Sequence, residues 1–296
     1  MICYSNYRMK LHNLQEEDEC LPEREIGTCK TEKSVYDTII YTKWGLMALE
    51  TITSRKNAYI QHVRKLASDG AYRRERGEYL CDGMKTLREA IAFGAKIDSI
   101  LWKDHAEEGN WGDAEQYVAP AALFDYASPM VSSPGPLFCV AIRGCQKPGR
   151  LRNALVLEGV QDPGNVGTVI RTANAFGVDA VILTGDCADL YHPKTVRATM
   201  GAIFRQTVLQ MELPFLKDFL SDQSLPLYGA ALAEDAQEIR TLDMHHTALA
   251  VGSEGRGLSG ELLAQCEKKI IIPMQPDSES LNAAVAASIL MWEQVR

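Results

Sequence analysis

The sequence contains no Cys-x-x-Cys pair, although it has 8 cysteines among its 296 residues. Cysteines paired at that spacing are the usual sign of a zinc site or a redox motif, and the 6 histidines are dispersed as well. We therefore expect no metal site. Because scattered thiols are typical of a reducing compartment, the sequence predicts a cytoplasmic protein whose cysteines are small buried side chains.

Long apolar runs are also missing. The first 20 residues contain no apolar segment of the kind found in a secretory signal, so we do not expect one to be cleaved. The longest nearly apolar run, residues 281–292, is too short to span a bilayer and predicts a buried helix. We expect no membrane partner.

Positive charge is scarce overall but concentrated in one segment. The net charge of −8 argues against a protein covered in nucleic acid. Residues 55–76 nevertheless hold seven basic residues and only two acidic ones. This excess predicts a surface that contacts RNA phosphates, and the alternative is a solvated helix face. Tyr72 and Tyr79 either stack on bases or belong to a small core. The basic residues are Arg55, Lys56, Arg64, Lys65, Arg73, Arg74 and Arg76.

Changes in patterning divide the chain into four parts. Residues 1–46 have neither helical nor strand periodicity, so we expect a flexible N-terminal extension, the alternative being a short strand or helix packed onto the body. Residues 47–144 alternate helix and strand and predict a small α/β domain. Its first helix carries Ile60, Val63 and Leu66 at helical spacing, with Ser54 as the expected cap. Residues 145–152 are basic, contain Pro and Gly, and predict a linker.

Residues 153–296 predict a second α/β domain. Five apolar segments, ALVLEGV, DAVILTG, LPLYGAALA, TALAVGSEG and KKIIIPM, have the length of buried strands, and helical stretches separate most of them. Apolar strands that alternate with helices are typical of a parallel sheet covered on both faces.

One strand-to-helix junction carries unusual polar residues. In DPGNVGTVIRTANAF, four apolar residues lie on one helical face, and Arg171 points about 150° away from its centre. Asn165 falls in the first turn, where we expect it to cap backbone N–H groups. A dinucleotide-binding loop requires G-x-G-x-x-G, and this segment has only Gly164-x-x-Gly167. The apolar residues are Val166, Val169, Ile170 and Ala173.

Two further junctions contain similar features. VGSEGRGL is a glycine-rich loop after an apolar strand and includes Gly252 and Glu254. IIIPM is followed by SESLNAAVAAS, in which Ser280 is the expected helix cap and Asn282 a polar residue of the first turn. Because the carboxyl ends of parallel strands form the ligand crevice of α/β folds, we expect the three junctions to build one composite site.

These three motifs, in this order, resemble the SpoU/TrmH family. They are N-x-G-x-x-x-R (Asn165, Gly167, Arg171), G-S-E-G-x-G-L, and I-P-M followed by S-L-N, and the resemblance covers about residues 153–296. Members are S-adenosylmethionine-dependent RNA 2′-O-ribose methyltransferases. The resemblance implies a deep trefoil knot in the C-terminal domain and a homodimer whose active sites are completed across the interface. The preceding region resembles the family's RNA-binding substrate domain.

The resemblance also assigns roles to single residues. Gly252, Ile272, Met274 and Leu281 would border S-adenosylmethionine. Arg171 is the family's proposed activating residue, and the alternative is that it grips a phosphate and orients the ribose. Glu254 would fix Arg171 or cap its own loop. Ala284 stands where many members carry Ser. The residues of the implied catalytic pocket are Asn165, Arg171, Glu254, Ser280 and Asn282.

The predicted function is methylation of a ribose 2′-hydroxyl in RNA. Ribosomal RNA is favoured over transfer RNA, because a separate substrate domain suits a folded stem-loop target. Two alternatives are a nucleotide-dependent oxidoreductase of Rossmann type and a non-catalytic RNA-binding protein.

Overall fold

The structure is a computed structural model that describes residues 37–42, 45–144, 148–275 and 280–296. The described residues all belong to one compact unit. Two β-sheets, one before and one after residues 142–153, organise it.

The first sheet is mixed and has the strand order β1-β2-β5-β4-β6-β3. Parallel pairs join β2 to β5 and β5 to β4, whereas the other neighbours are antiparallel. Its strands are β1 (Asp37–Thr42), β2 (Gly45–Thr51), β3 (Glu78–Asp82), β4 (Ile97–Lys103), β5 (Glu115–Ala119) and β6 (Leu137–Ala141). Its helices are α1 (Ala58–Ser68), α2 (Gly70–Arg76), α3 (Met84–Ala92) and α4 (Ala121–Ala127).

The N-terminal boundary differs from the one expected. Strand β1 and the start of β2 lie within residues 1–46, where we expected a flexible extension. All six residues of β1 pair with β2, from Asp37 opposite Glu50 to Thr42 opposite Gly45. A backbone ladder needs no apolar alternation, which explains why the pattern of side chains did not reveal it. Residues 1–36 lie outside the described residues.

The second sheet is entirely parallel and has the order β11-β13-β10-β12-β7-β8-β9. This agrees with the predicted α/β class. Its strands are β7 (Ala154–Glu158), β8 (Ala180–Thr184), β9 (Thr207–Gln210), β10 (Leu227–Ala230), β11 (Gln237–Glu238), β12 (Ala248–Gly252) and β13 (Lys268–Ile271). Its α-helices are α5 (Pro163–Phe176), α6 (Pro193–Ala198), α7 (Leu213–Gln223), α8 (Gly260–Leu263) and α9 (Ala283–Val295).

Helices cover both faces of this sheet. Alternate residues of β7 point to opposite faces, so that Leu155 and Leu157 belong to one apolar core and Val156 to the other. The first core includes α5 and α9, and the second includes α7 and α8. Burial on both faces explains why the central strands read as continuous apolar runs.

Several helix caps differ from those expected. Asn57, rather than Ser54, accepts the backbone N–H of Tyr59 at the start of α1. Asp162, rather than Asn165, caps α5. Asn282, rather than Ser280, caps α9. Each substitute is also a good capping residue, so local sequence could not decide between them.

Arg73 joins the two sheets and is not an RNA-facing residue. Its side chain is buried, with Nε and Nη2 donating to Asp189 Oδ2 at 3.1 and 2.7 Å and Nη1 donating to the Leu66 carbonyl at 2.6 Å. These bonds occupy the guanidinium, so we remove Arg73 from the predicted surface. Tyr79 is also buried, its ring centroid 4.8 Å from that of Tyr191, and it belongs to the core.

The described cysteines fit their expected role. Cys81 and Cys139 are buried, Cys187 and Cys266 are half-buried, and all four are free thiols. Within the described ranges, we find no helix that is long and apolar enough to cross a membrane.

We predict that residues 37–46 contribute to stability. A chain that begins at Met47 starts inside β2 and lacks β1, so the edge of β2 loses its antiparallel partner. Its thermal midpoint should fall by at least about 2–4 °C, which corresponds to roughly 1 kcal/mol. A chain that begins at Tyr36 is the control and should match the full-length protein. Equal midpoints for the two shortened chains would show that the strand pair adds nothing.

Candidate active site

The strand order of the second sheet creates a crevice. From β7 the chain builds outward through β8 and β9, then crosses to the other side and later inserts β12 between β7 and β10. Where the connections that follow two neighbouring parallel strands run in opposite directions, a gap opens at the carboxyl ends of those strands. Parallel α/β folds bind ligands in this gap. The three predicted junctions follow β7, β12 and β13 at this edge.

Three of the predicted residues meet in this crevice. Asn165 Nδ2 donates to Glu254 Oε1 at 2.5 Å, and Asn282 Nδ2 donates to Asn165 Oδ1 at 3.1 Å. The backbone N–H of Ala283 also approaches Glu254 Oε1, at 3.4 Å. The amide of Asn165 therefore connects the first, second and third junctions through one donor and one acceptor. This network fixes the orientation of both asparagines, because only one assignment of each amide satisfies it.

Arg171 lies away from this network. It is six residues after Asn165 on α5, which places it about 9 Å further along the axis and about 120° around the helix. Its side chain is exposed, and no hydrogen bond or ion pair reaches it from the described parts of the chain. The expected pairing with Glu254 is thus not formed, since Glu254 accepts from Asn165 instead.

Gly167 serves helix packing rather than ligand approach. A β-carbon at Gly167 would lie 2.5 Å from both the Thr195 carbonyl oxygen and the Ala198 β-carbon. Only glycine therefore lets α5 and α6 come this close. Because Asn165 and Arg171 are on the same helix, this contact sets the height of both above the sheet.

The glycine-rich loop after β12 closes on itself. Ser253 and Gly257 form an isolated antiparallel bridge, and a β-carbon at Gly252 would lie 2.1 Å from the Gly257 backbone. The C-terminal end of the loop is held by Glu158, the last residue of β7. Its carboxylate accepts hydrogen bonds from Ser259 N at 2.7 Å and from Ser259 Oγ at 2.6 Å. Glu158 was not among the predicted site residues. An acidic residue that ends a buried strand was the available signal.

Apolar side chains lie at the same edge beyond β13. Ile272, Met274 and Leu281 are half-buried, whereas Ser280 is exposed. Leu232, two residues after β10, is 68% exposed and is a second residue that the sequence analysis missed. Exposed apolar area at the edge of a crevice suits the flat ring of a nucleoside.

Cys187 follows β8 at this edge but is not suited to act as a nucleophile. Burial raises the pKa of its thiol. The sulfur also donates to the carbonyl oxygens of Thr184 and Leu157, at 3.2 and 3.3 Å. The side chain is a protonated packing group, since nucleophilic cysteines need a lowered pKa.

Six of the seven predicted basic residues are exposed on the first sheet's helices and the loop before them. Some are engaged by neighbours: Lys65 Nζ lies 5.3 Å from the Tyr72 ring centroid, and Arg76 lies 3.7 Å from Glu78. The six exposed residues are Arg55, Lys56, Arg64, Lys65, Arg74 and Arg76.

Comparison with known proteins identifies the family. Residues 152–292 match the model of the SpoU rRNA Methylase family. The chain is also 32% identical over 247 residues to the 23S rRNA (guanosine(2553)-2′-O)-methyltransferase RlmP of Bacillus subtilis, an alignment that covers 82% of this chain and 98% of that protein. The chain belongs to the SpoU methylase family. The resemblance inferred from the three motifs is confirmed.

Two further comparisons extend over both sheets of this SpoU methylase. A 23S rRNA (uridine(2479)-2′-O)-methyltransferase from Streptomyces viridochromogenes is 27% identical, with 84% of this chain and 93% of that protein covered. The crystal structure of the SpoU methyltransferase AviRb from the same organism, in complex with the cofactor AdoMet, superposes with a TM-score of 0.72 at 26% identity and covers 81% of this chain and 98% of that one.

The AdoMet-bound rRNA methyltransferase from Sinorhizobium meliloti has the same fold. It gives a TM-score of 0.75 at 24% identity, over 83% of this chain and 97% of that one.

The dinucleotide-binding alternative does not fit this SpoU methylase. In such folds the pyrophosphate sits at the N-terminus of the helix after the first strand. Here Asp162 occupies that position, its carboxylate accepting the Asn165 N–H at 2.9 Å. A fixed negative charge at the helix N-terminus repels a phosphate group.

We predict that Asn165→Asp destabilises the protein in a pH-dependent way. The new carboxylate would face Glu254 in place of a donating amide, and two adjacent like charges repel. At pH 7 the thermal midpoint should fall by about 2–4 °C. The loss should disappear as the pH falls towards about 4, where carboxyl groups become protonated.

Two controls test this reading of the network. Asn165→Ala loses the hydrogen bonds without adding charge, so its midpoint should not show this pH dependence. Asn165→Asp combined with Glu254→Gln exchanges donor and acceptor, and the midpoint should return close to the starting value. A double variant no more stable than Asn165→Asp alone would contradict the pairing.

Proposed function

We propose that this SpoU methylase transfers a methyl group from S-adenosylmethionine to a ribose 2′-hydroxyl of ribosomal RNA. The observation that carries the proposal is the contact of Asn165 with Glu254 and Asn282, which joins the three family motifs in the crevice of the parallel sheet. Relatives named as 23S rRNA 2′-O-methyltransferases align over both sheets. They support ribosomal over transfer RNA.

The residues that would hold the cofactor are those at the carboxyl edge beside β12 and β13. Gly252, Ile272, Met274 and Leu281 border it, and Leu232 adds exposed apolar area suited to the adenine ring. When bound, S-adenosylmethionine supplies an electrophilic methyl carbon on a positively charged sulfur. The donor set fits this group, because backbone groups and apolar side chains bind a nucleoside without placing a cation beside the sulfonium.

The chain's own contribution is to position the ribose. Arg171 grips the phosphate next to the reacting nucleotide through its forked N–H donors and so holds the hydroxyl in line for attack. We favour this clamp over a general-base role, because a guanidinium remains protonated in proteins. The hydrogen bonds among Asn165, Glu254 and Asn282 hold the three junctions in fixed positions relative to one another. Ser280 completes the pocket.

The knot and the subunit arrangement belong to the same proposal. We infer that the segment after β12 threads a deep trefoil knot and that α9 closes it. In support, Gln294 near the end of α9 donates to the carbonyl oxygens of Thr247 at 3.0 Å and Ala154 at 3.5 Å, which tethers this helix to the starts of β12 and β7.

An apolar stripe on α9 supports a homodimer. Val285 and Trp292 are 47% and 54% exposed, and Ile289 lies between them on the same side of the helix. The Trp292 ring packs against Phe176 of α5, with the centroids 5.5 Å apart. We propose that this stripe meets a second copy of the chain and that each active site is completed across the interface, where Arg171 reaches its phosphate.

The remaining surface and the compartment complete the proposal. The exposed basic residues of the first sheet bind the RNA, so that the domain built on this sheet, from β1 to residue 144, acts as a substrate domain and residues 145–152 lead to the methyltransferase domain. The enzyme works in the cytoplasm, where free thiols such as Cys81 and Cys139 persist.

Mapping of 2′-O-methyl groups tests the function. In total RNA from cells that lack the gene, one or more ribosomal positions should lose the modification, and the intact gene should restore it. Arg171→Ala should fail to restore it, and Arg171→Lys should also fail because the fork geometry is lost. Purified Arg171→Ala should keep its thermal midpoint and its affinity for S-adenosylmethionine.

The outcomes separate the alternatives. Loss of a transfer RNA methyl group would replace the substrate, and an unchanged map would favour a non-catalytic RNA-binding protein. Restoration by Arg171→Ala would remove Arg171 from the mechanism.

We predict that Trp292→Asp converts a dimer into a monomer. A charge within an apolar contact loses its hydration without gaining a partner. Phe215→Asp is the matched control, because Phe215 is 63% exposed on α7 and lies on the opposite face of the sheet. Analytical ultracentrifugation should show the mass of Trp292→Asp halved and that of Phe215→Asp unchanged. A monomeric wild-type protein, or a dimeric Trp292→Asp, would contradict this interface.

A further inference from the structure

Two arginines of the basic segment share one aromatic ring. The Arg64 Cζ lies 3.9 Å from the centroid of Tyr126, and the Arg55 Cζ lies 4.4 Å from the same centroid. Arg55 belongs to the loop before α1, Arg64 to α1 itself and Tyr126 to α4. Three separate segments of the chain therefore converge on this point, which nothing in the local sequence of any one of them indicates.

The two guanidinium groups lack acidic partners. Both side chains are exposed, and among the described residues neither forms an ion pair with a carboxylate. Asp125, the acidic residue next to Tyr126 in sequence, accepts from Lys103 Nζ at 2.7 Å. The buried Arg73, by contrast, is engaged by Asp189 and by the Leu66 carbonyl oxygen. Two positive charges next to one ring repel each other, so the arrangement favours an anion beside them.

The ring is held in place by the core beneath it. Tyr126 is half-buried and packs against the apolar cluster that contains Leu123 and Phe124. The loop that carries Arg55 is fixed as well, because Gln61 Nε2 donates to the Arg55 carbonyl oxygen at 2.6 Å. A guanidinium whose Cζ lies over a ring face meets the ring with its flat side when it stacks, and its in-plane N–H donors then stay available. Both arginines are thus oriented before any ligand arrives.

We propose that Arg55, Arg64 and Tyr126 form a phosphate clamp for the RNA backbone. Arg55 and Arg64 bind phosphate oxygens, and Tyr126 is a positioning residue that holds both guanidinium groups. This inference rests on the proposed function, since it takes RNA as the ligand. The neighbouring exposed Lys56 and Lys65 extend the positive surface, as expected for a polyanion longer than one phosphate.

The clamp predicts a specific response to changes at position 126. Tyr126→Leu keeps an apolar side chain but removes the ring face, and RNA affinity should fall about two- to fivefold, the range that exposed cation–π contacts support. Tyr126→Phe keeps the ring and should bind like wild type. The probe is an unmethylated 23S rRNA transcript, titrated at several salt concentrations.

A double variant without the two arginines shows whether Tyr126 acts by positioning them or by packing in the core. Arg55→Ala with Arg64→Ala should weaken binding and reduce the slope of log affinity against log salt by about 1.4–1.8, the value for two lost phosphate contacts. In that background Tyr126→Leu should have no further effect. The matched control is Arg240→Ala, because Arg240 is exposed and bound to Glu238 at 3.0 Å. Its affinity and slope should be those of wild type.

Three results would overturn the clamp. These are unchanged affinity in Tyr126→Leu, an equal loss in Tyr126→Phe, or the same loss from Tyr126→Leu with and without the two arginines. Turnover with the same transcript keeps the two proposals apart. If the clamp is right, Tyr126→Leu raises the KM for RNA while kcat stays near wild type. If wild type binds the transcript but transfers no methyl group, the proposed function fails while the clamp is still tested by the titrations.

Discussion

The parallel pairing of β12 between β7 and β10 is the constraint on which the site depends. It places Glu158 and Gly252, the last residues of β7 and β12, side by side. The glycine-rich loop that follows β12 therefore lies next to the helix that follows β7. Asn165 and Glu254 are 89 residues apart in sequence, and this pairing is what brings them within a hydrogen bond. The close contact of α5 with α6 at Gly167 then sets the height of the helix over the crevice.

A second constraint joins the elements of the first sheet to those of the second. The bond between Arg73 and Asp189 joins α2 to the loop after β8. An ion pair between Glu89 of α3 and Arg205, just before β9, makes a second connection. The rings of Tyr79 and Tyr191 also pack against each other between the two sheets. Because these contacts lie within one compact unit, they hold the exposed basic residues at a fixed distance from the crevice. A movement of the two sheets relative to each other would separate these charge pairs. For a buried pair this costs more free energy than for an exposed one, since it leaves a charge without a partner.

Sequence predicted the parts of this protein that local patterning encodes. The apolar runs of β7, β8 and β12 and the buried face of α5 were found because burial on both faces leaves a continuous apolar signal. Strands β5 (EQYVA) and β9 (TVLQ) were not found, because polar residues at their ends leave no continuous apolar run. The burial of Arg73 could not be read locally, because its partner is 116 residues away. The family motifs contained the three residues that meet, Asn165, Glu254 and Asn282, but did not indicate the bond of Asn165 to Glu254.

The most direct test of the account is where the transferred methyl group ends up. Purified protein is incubated with unmethylated 23S rRNA and S-adenosylmethionine that carries a trideuterated methyl group, and the RNA is then digested to nucleosides for mass spectrometry. The account predicts one or a few nucleosides with the label on the ribose, released as 2′-O-methyl derivatives. Label on a base, or RNA that binds but remains unlabelled, would contradict it.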